Sequence, residues 1–202
     1  LLDELKKLIL SKLFLKILKD KFCQEIISII FPQIINLNIF KNINDYSKKI
    51  FEKKDFIFLI SLLIIDESDN SEYFIYKYNI SNEDKKRIRF LSNVYFKHAE
   101  KDKFKEENLW KIFYYNGKNY LNDFINFKIF QNKKLNKNLI ELKEFFSNQE
   151  IPVLDVKAKT LIEKFNYKEG KELGIKLKEI EKFWIENSFK ISDKELNKIV
   201  KN

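Results

Sequence analysis

The chain has no methionine, one histidine, one cysteine, three glycines and two prolines in 202 residues. One cysteine, Cys23, excludes an internal disulfide. With His98 as the only histidine, a zinc site or a Cys-His nucleophile would need those two residues to meet, and Cys23 sits in an apolar helical run that reads as core. No P-loop, G-x-G-x-x-G or G-x-S-x-G pattern occurs. The only long apolar run, Phe56 to Ile65, falls well short of the ~20 residues of a membrane helix and reads as a buried core helix. No secretory leader pattern opens the chain, which points to a cytoplasmic setting. The opening Leu1-Leu2-Asp3-Glu4 looks like mid-helix, so a fragment or processed product is expected.

What is abundant is charge and apolar side chains together. With 45% hydrophobic and 34% charged residues, the composition is too apolar for a disordered chain and too charged for a membrane bundle. The net charge is +9, which favours an anionic partner, nucleic acid before membrane, because neutralising phosphates releases counterions. An AT-rich genome would also enrich lysine, asparagine, isoleucine, phenylalanine and tyrosine, so the charge has a second explanation.

Apolar residues recur at helical spacing throughout. Leu2, Leu5, Ile9, Leu13 and Ile17 keep that period with a break at Ser11, and Phe22, Ile26, Ile27 and Ile30 form a second run ending at Phe31-Pro32. Asn44 or Asp45 can cap a helix through Lys53, Asp55 the apolar helix after it, and Ser81-x-x-Asp84 opens another through Ile88 and Leu91. Glu72 to Asn79 reads as helix or irregular. Glu106 to Asn116 is expected to stop at Gly117, with a new helix from Asn119 or Asn122. Leu139, Leu142, Phe145 and Phe146 line a further helix, and Ser192-x-x-Glu195 caps the last. Asp66, Glu67 and Asp69 read as a solvated turn rather than a metal site.

Lys85, Lys86, Arg87 and Arg89 place four cations in two turns, and most of the excess positive charge lies between them and Lys143. They are either a solvated face or a phosphate-tracking stripe, with the arginines favoured for specific contacts. Tyr114, Tyr115 and Tyr120, beside lysines, are candidates for base stacking.

Two of the three glycines and one proline fall between Ile151 and Phe189. Pro152 forces a helix break, Asp155 is the expected N-cap of a short helix carrying Lys157, Lys159, Leu161 and Phe165, and a turn leads into a long amphipathic helix from Lys171. Gly170 and Gly174, four apart, share a face near its start. They either let two helices cross closely or leave the helix start, with its unpaired N–H groups, open to a phosphate flanked by Lys168 and Lys171.

The run from Pro152 through Leu161, then Glu169-Gly170, Leu173-Gly174, Leu177 and Trp184, resembles the C-terminal region of the class II CCA-adding tRNA nucleotidyltransferases and poly(A) polymerases. Ala158 and Thr160 depart from that family's P-x-x-G-x-D-L, while the second glycine pair matches. Asp3-Glu4-Leu5-Lys6-Lys7 is similar to the tail of E-R-x-x-x-E-L-x-K in the family's neck, and Phe31-Pro32 to the F-P closing the next helix.

The resemblance implies an all-α fold: the end of the neck plus a helical body over 1–149, and a smaller helical tail over 150–202. It implies tRNA or other structured RNA as partner and no membrane. RNA contacts are expected at Lys85, Lys86, Arg87, Arg89, Lys157, Lys159, Lys168, Gly170, Lys171 and Gly174. The family's catalytic head, with its glycine-serine turn, Asp-x-Asp pair, Mg²⁺ and CTP or ATP, has no counterpart in these residues, so no catalytic residue and no metal ligand are assigned and the isolated chain is expected to be inactive. The rival expectation is a helical protein-interaction module with no nucleic-acid role.

Overall fold

The structure, a computed structural model, describes residues 1–41, 43–97, 104–132 and 134–201. Among these residues it is all-α: twelve helices, one 3-10 turn and no strand. Among the described residues no helix is long and apolar enough to cross a membrane. His98, and with it the Cys23–His98 pairing considered above, lies outside the described residues.

Two compact units form: Leu1–Phe104 with Asn116–Gln149, and Lys105–Tyr115 with Glu150–Asn202. The linear division at 149/150 had assigned Lys105–Tyr115 to the body; these residues instead belong to the second unit.

The first unit contains α1 (Leu2–Leu10), α2 (Phe14–Ile17), α3 (Lys21–Ile30), the 3-10 turn (Leu37–Phe40), α4 (Asp45–Lys53), α5 (Phe56–Ile64), α6 (Asn70–Lys77), α7 (Asn82–Lys97) and α9 (Lys137–Ser147). At its centre is α5, buried at every position but Ile57, with α1, α6, α7 and the 3-10 turn packed on it. Its start is held by Asp55, whose carboxylate accepts the Phe58 N–H at 3.0 Å. Its end is buried, so its last carbonyls need protein donors. The Leu63 carbonyl accepts from the Ile35 and Asn36 N–H groups, while the Asn70 and Asn36 side-chain amides donate to the Ile64 and Ile65 carbonyls, each at 2.7 Å. Phe14, Phe40, Phe51, Phe58 and Phe130 contact one another edge-on or stacked around this helix, which assigns them to the core.

On α3 only Ile27 is buried; Phe22, Ile26, Ile29 and Ile30 are exposed.

Gly117 takes φ 81°, ψ 176°, outside the helical region, so α8 (Glu106–Gln131) is two helices joined across a kink at the glycine expected to end the first, and the division between the units falls beside this residue. In the second unit, α10 (Ala158–Phe165), α11 (Lys171–Glu186) and α12 (Asp193–Lys201) close over Leu161, Leu173, Ile180, Leu196 and Val200. The Tyr167 hydroxyl and the Lys176 ammonium donate to the Val200 and Ile199 carbonyls at the end of α12. Ser192 and Glu195 form a full reciprocal capping box, while Ser81 accepts the Asp84 N–H and donates its hydroxyl to the Asp84 carboxylate.

Asp155 is not a cap. The chain stays extended through Lys157, the N-cap of α10, where Thr160 Oγ1 accepts the Lys157 N–H at 3.4 Å. The threonine three residues on closes back onto the N–H of the N-cap residue, while the first-turn N–H groups that an aspartate would have capped receive no side-chain acceptor.

Candidate nucleic-acid interface

On α7 the four cations do not form one surface, because residues two apart on a helix point different ways. Arg87 reaches two carboxylates: its Nε donates to Asp123 Oδ2 at 2.6 Å and its Nη2 lies 2.9 Å from Asp55 Oδ2. Asp123 is only 3% exposed and also receives the Lys54 ammonium at 2.5 Å. Burial pulls the Arg87 pKa down, but the hydrogen bonds and charges of Asp123 and Asp55 outweigh it and hold the guanidinium above its ordinary value. Burial likewise pushes Asp55 up, and the Arg87 and Phe58 donors bring it below its ordinary value. The cleft around this network is also bordered by Glu83 and Asp84, so carboxylates outnumber cations where Arg87 sits. A phosphate arriving there would meet net repulsion.

Arg89 forms a two-pronged pair with Glu72 on α6, at 2.7 and 2.6 Å, and that hydrogen bonding lowers the Glu72 pKa. Lys85 faces the same Glu72, and Lys86 is exposed. The two arginines favoured for RNA contact are therefore each paired with carboxylates of the same unit. Their partners had a sequence signal: Asp123 is the one charged residue in the otherwise apolar or amide stretch Leu121–Phe127, and a lone carboxylate in such a run calls for a buried cation.

The tail residues stand differently. Lys157, Lys159, Lys168 and Lys171 are exposed, and among the described residues only Lys159 of the four forms an ion pair, with Glu163 at 3.6 Å. Gly170 is the N-cap of α11 with φ 147°, a backbone that side-chain-bearing residues rarely adopt. No side chain caps this helix, a state it shares with α1, α2, α6 and α10, whereas Asp20, Asn44, Asp55 and Asn136 close the starts of α3, α4, α5 and α9. A Cβ built at Gly174 meets nothing within 4 Å. The close helix crossing offered above as one explanation of the glycine pair is therefore absent. Lys171, Gly174, Ile175, Lys178 and Lys182 line one exposed face of α11, with Glu172, Glu179 and Glu186 alongside.

No family model, curated protein or solved structure matches this chain.

Of the three tyrosines, Tyr114 donates its hydroxyl to Glu181 at 2.6 Å and packs edge-on to Trp184, which together with partial burial pushes its pKa up to about 12. Tyr120 is edge-on to Phe90, whereas Tyr115 is 65% exposed. Among the described residues no group of histidines, cysteines and carboxylates can hold a metal ion; Asp66 instead accepts from the Ser68 N–H and hydroxyl in a local turn.

Proposed function

We propose that the chain is the tRNA-binding C-terminal part of a CCA-adding tRNA nucleotidyltransferase or poly(A) polymerase, which holds the RNA 3′ end in position for a catalytic head that these residues do not include. The observation that carries this reading is the start of α11: uncapped, glycine-marked without any packing need for Gly174, and flanked by exposed Lys168 and Lys171. Unpaired N–H groups and the positive end of the helix dipole suit a phosphate, and an absent side chain lets its oxygens approach. The motif resemblance from Pro152 to Trp184 supplies tRNA as the partner.

The test is binding of a fluorescent tRNA minihelix across a salt series. Affinity should fall steeply with salt, and Lys171→Ala and Gly174→Ala should weaken it in protein that still melts cooperatively. The chain with CTP, ATP, Mg²⁺ and tRNA should add no nucleotide.

A second reading, a helical protein-interaction module, is favoured by one feature: Phe22 is 69% and Ile29 78% exposed on α3, beside exposed Ile26 and Ile30. Absence of RNA binding even at low salt would select it.

A further inference from the structure

A concavity of the first unit, about 960 Å³, opens between the α1–α2 segment on one side and the 3-10 turn and α4 on the other. Lys12, Lys16 and Lys19, three and four residues apart, line the first wall, and Lys41 and Lys48 line the second. All five are exposed, and none forms an ion pair or side-chain hydrogen bond among the described residues. Asp45 and Glu52 are the only carboxylates of the lining. Lys54, also at this wall, is already held by Asp123. Elsewhere in the unit Arg87 and Arg89 are neutralised by carboxylates, so five unmatched ammonium groups converging on one hollow stand out as charge left for an external anion.

The chemistry of the floor narrows the occupant. Ile9, Phe40, Phe51 and Leu59 are buried there, so no aromatic face is offered for base stacking. Among the described residues of the lining no buried polar side chain points in to recognise a particular small molecule. A flat anionic bilayer cannot follow a concave wall. Flexible ammonium groups on two facing walls, without a reading group between them, fit a continuous string of phosphates.

We propose that this groove holds the phosphodiester backbone of one strand of a structured RNA, bound without regard to base sequence. The assignment rests on the RNA-binding reading above, but places a second contact surface in the other unit, built from residues the sequence motifs do not touch.

The experiment uses the full chain and two RNA hairpins of equal length and unrelated sequence, with affinity read by fluorescence anisotropy from low to high salt. Three proteins are compared: the parent, Lys12→Gln/Lys16→Gln/Lys48→Gln, and Lys168→Gln/Lys171→Gln. All substitutions are at exposed positions, and circular dichroism melts verify folding. The groove variant should flatten the log K against log salt slope by about 2 to 3 and weaken both hairpins alike, roughly a hundredfold at about 0.1 M salt. An unchanged slope in the groove variant, with binding lost in the tail variant, overturns the groove while leaving RNA binding intact. A parent that binds neither hairpin overturns both. Groove-dependent binding of poly-glutamate or of anionic phosphatidylserine vesicles in preference to the hairpins would give the groove to a different class of partner and overturn the RNA assignment.

Discussion

Helices α7 and α11 both look basic in sequence, and they differ in what faces their cations. On α7, Arg87 lies against Asp123 and Asp55 and Arg89 against Glu72. On α11, Lys171, Lys178 and Lys182 form an exposed row with no ion pair among the described residues, and the glycine at 174 opens the surface between them. A cluster of positive residues becomes available charge only where the fold leaves the opposing surface free of carboxylates. Arginine is the better fork for phosphate, and for the same reason the better fork for a carboxylate within the protein.

The sharpest way to break this comparison is Arg87→Ala. It would leave Asp123 nearly dry with Lys54 as its remaining partner, and Asp55 without its guanidinium. Removing one member of such a buried network should cost about 2 to 4 kcal/mol, measured by urea unfolding. RNA affinity of the protein that stays folded should not change. Full stability with reduced affinity would return Arg87 to the RNA surface.

The glycines give the next largest effect, with opposite signs at two nearby positions. Gly174→Ala adds a methyl to open space in a helix interior and should stabilise by up to about 1 kcal/mol while weakening RNA binding. Gly170→Ala meets no neighbour either, but its φ of 147° is strained for alanine, so it should destabilise by about 1 to 2 kcal/mol. Urea unfolding separates the two. Equal effects at both positions would mean that the backbone of Gly170 carries no special requirement.

Acid should find the paired side of the comparison first. Glu72 is held below its ordinary 4.5 by hydrogen bonds from Arg89. The unfolded chain takes up that proton before the folded one does, so the contribution is complete above about pH 4.5 and is lost as pH falls through the lower folded value. The parent should therefore lose more stability between pH 5 and 3 than Arg89→Gln, judged by thermal melts. Parallel curves would mean that the Arg89–Glu72 pair is screened by solvent.

Helix content and most caps were legible because they depend on neighbours in sequence: Asn44, Asp55, Ser81 and Ser192 each close a helix with a residue three positions on. Asp155 misled because the extended segment after Pro152 runs two residues further, to Lys157. Asp123, alone among apolar and amide residues, signals in the sequence that some cation is buried with it, but which cations are matched is not legible there. Arg87 meets a carboxylate 36 residues away and Arg89 one 17 residues away, so only the tertiary fold reveals that they are matched. The five groove lysines escaped for the converse reason: Lys12, Lys16 and Lys19 are separated from Lys41 and Lys48 in the chain, and no local window shows them converging. For Gly174 the sequence leaves close packing and open access both allowed, and the choice needs the neighbouring atoms, of which there are none within 4 Å of its Cβ position.

The smallest expected effect concerns how the second unit holds Lys105–Tyr115, the segment that sequence position alone had placed elsewhere. Tyr114 ties that segment to α11 through its hydroxyl on Glu181 at 2.6 Å, with its ring against Trp184 and Phe189. Hydrogen bonding to the carboxylate, with lesser help from burial, pushes the phenol from its ordinary 10.0 up to about 12. A phenol with a raised folded pKa contributes stability that is whole below pH 10.0 and is lost as pH climbs through about 12, because the unfolded chain releases its proton first. The site is partly open to solvent, so screening trims the effect, and lysines titrate over the same range. Comparison with Tyr114→Phe removes the lysine background, since both proteins share it. The parent should start more stable at pH 8 and converge on the phenylalanine variant by pH 12, as followed by urea unfolding. A constant offset at every pH would show that the ring packing, and not the Tyr114–Glu181 hydrogen bond, holds the segment to α11.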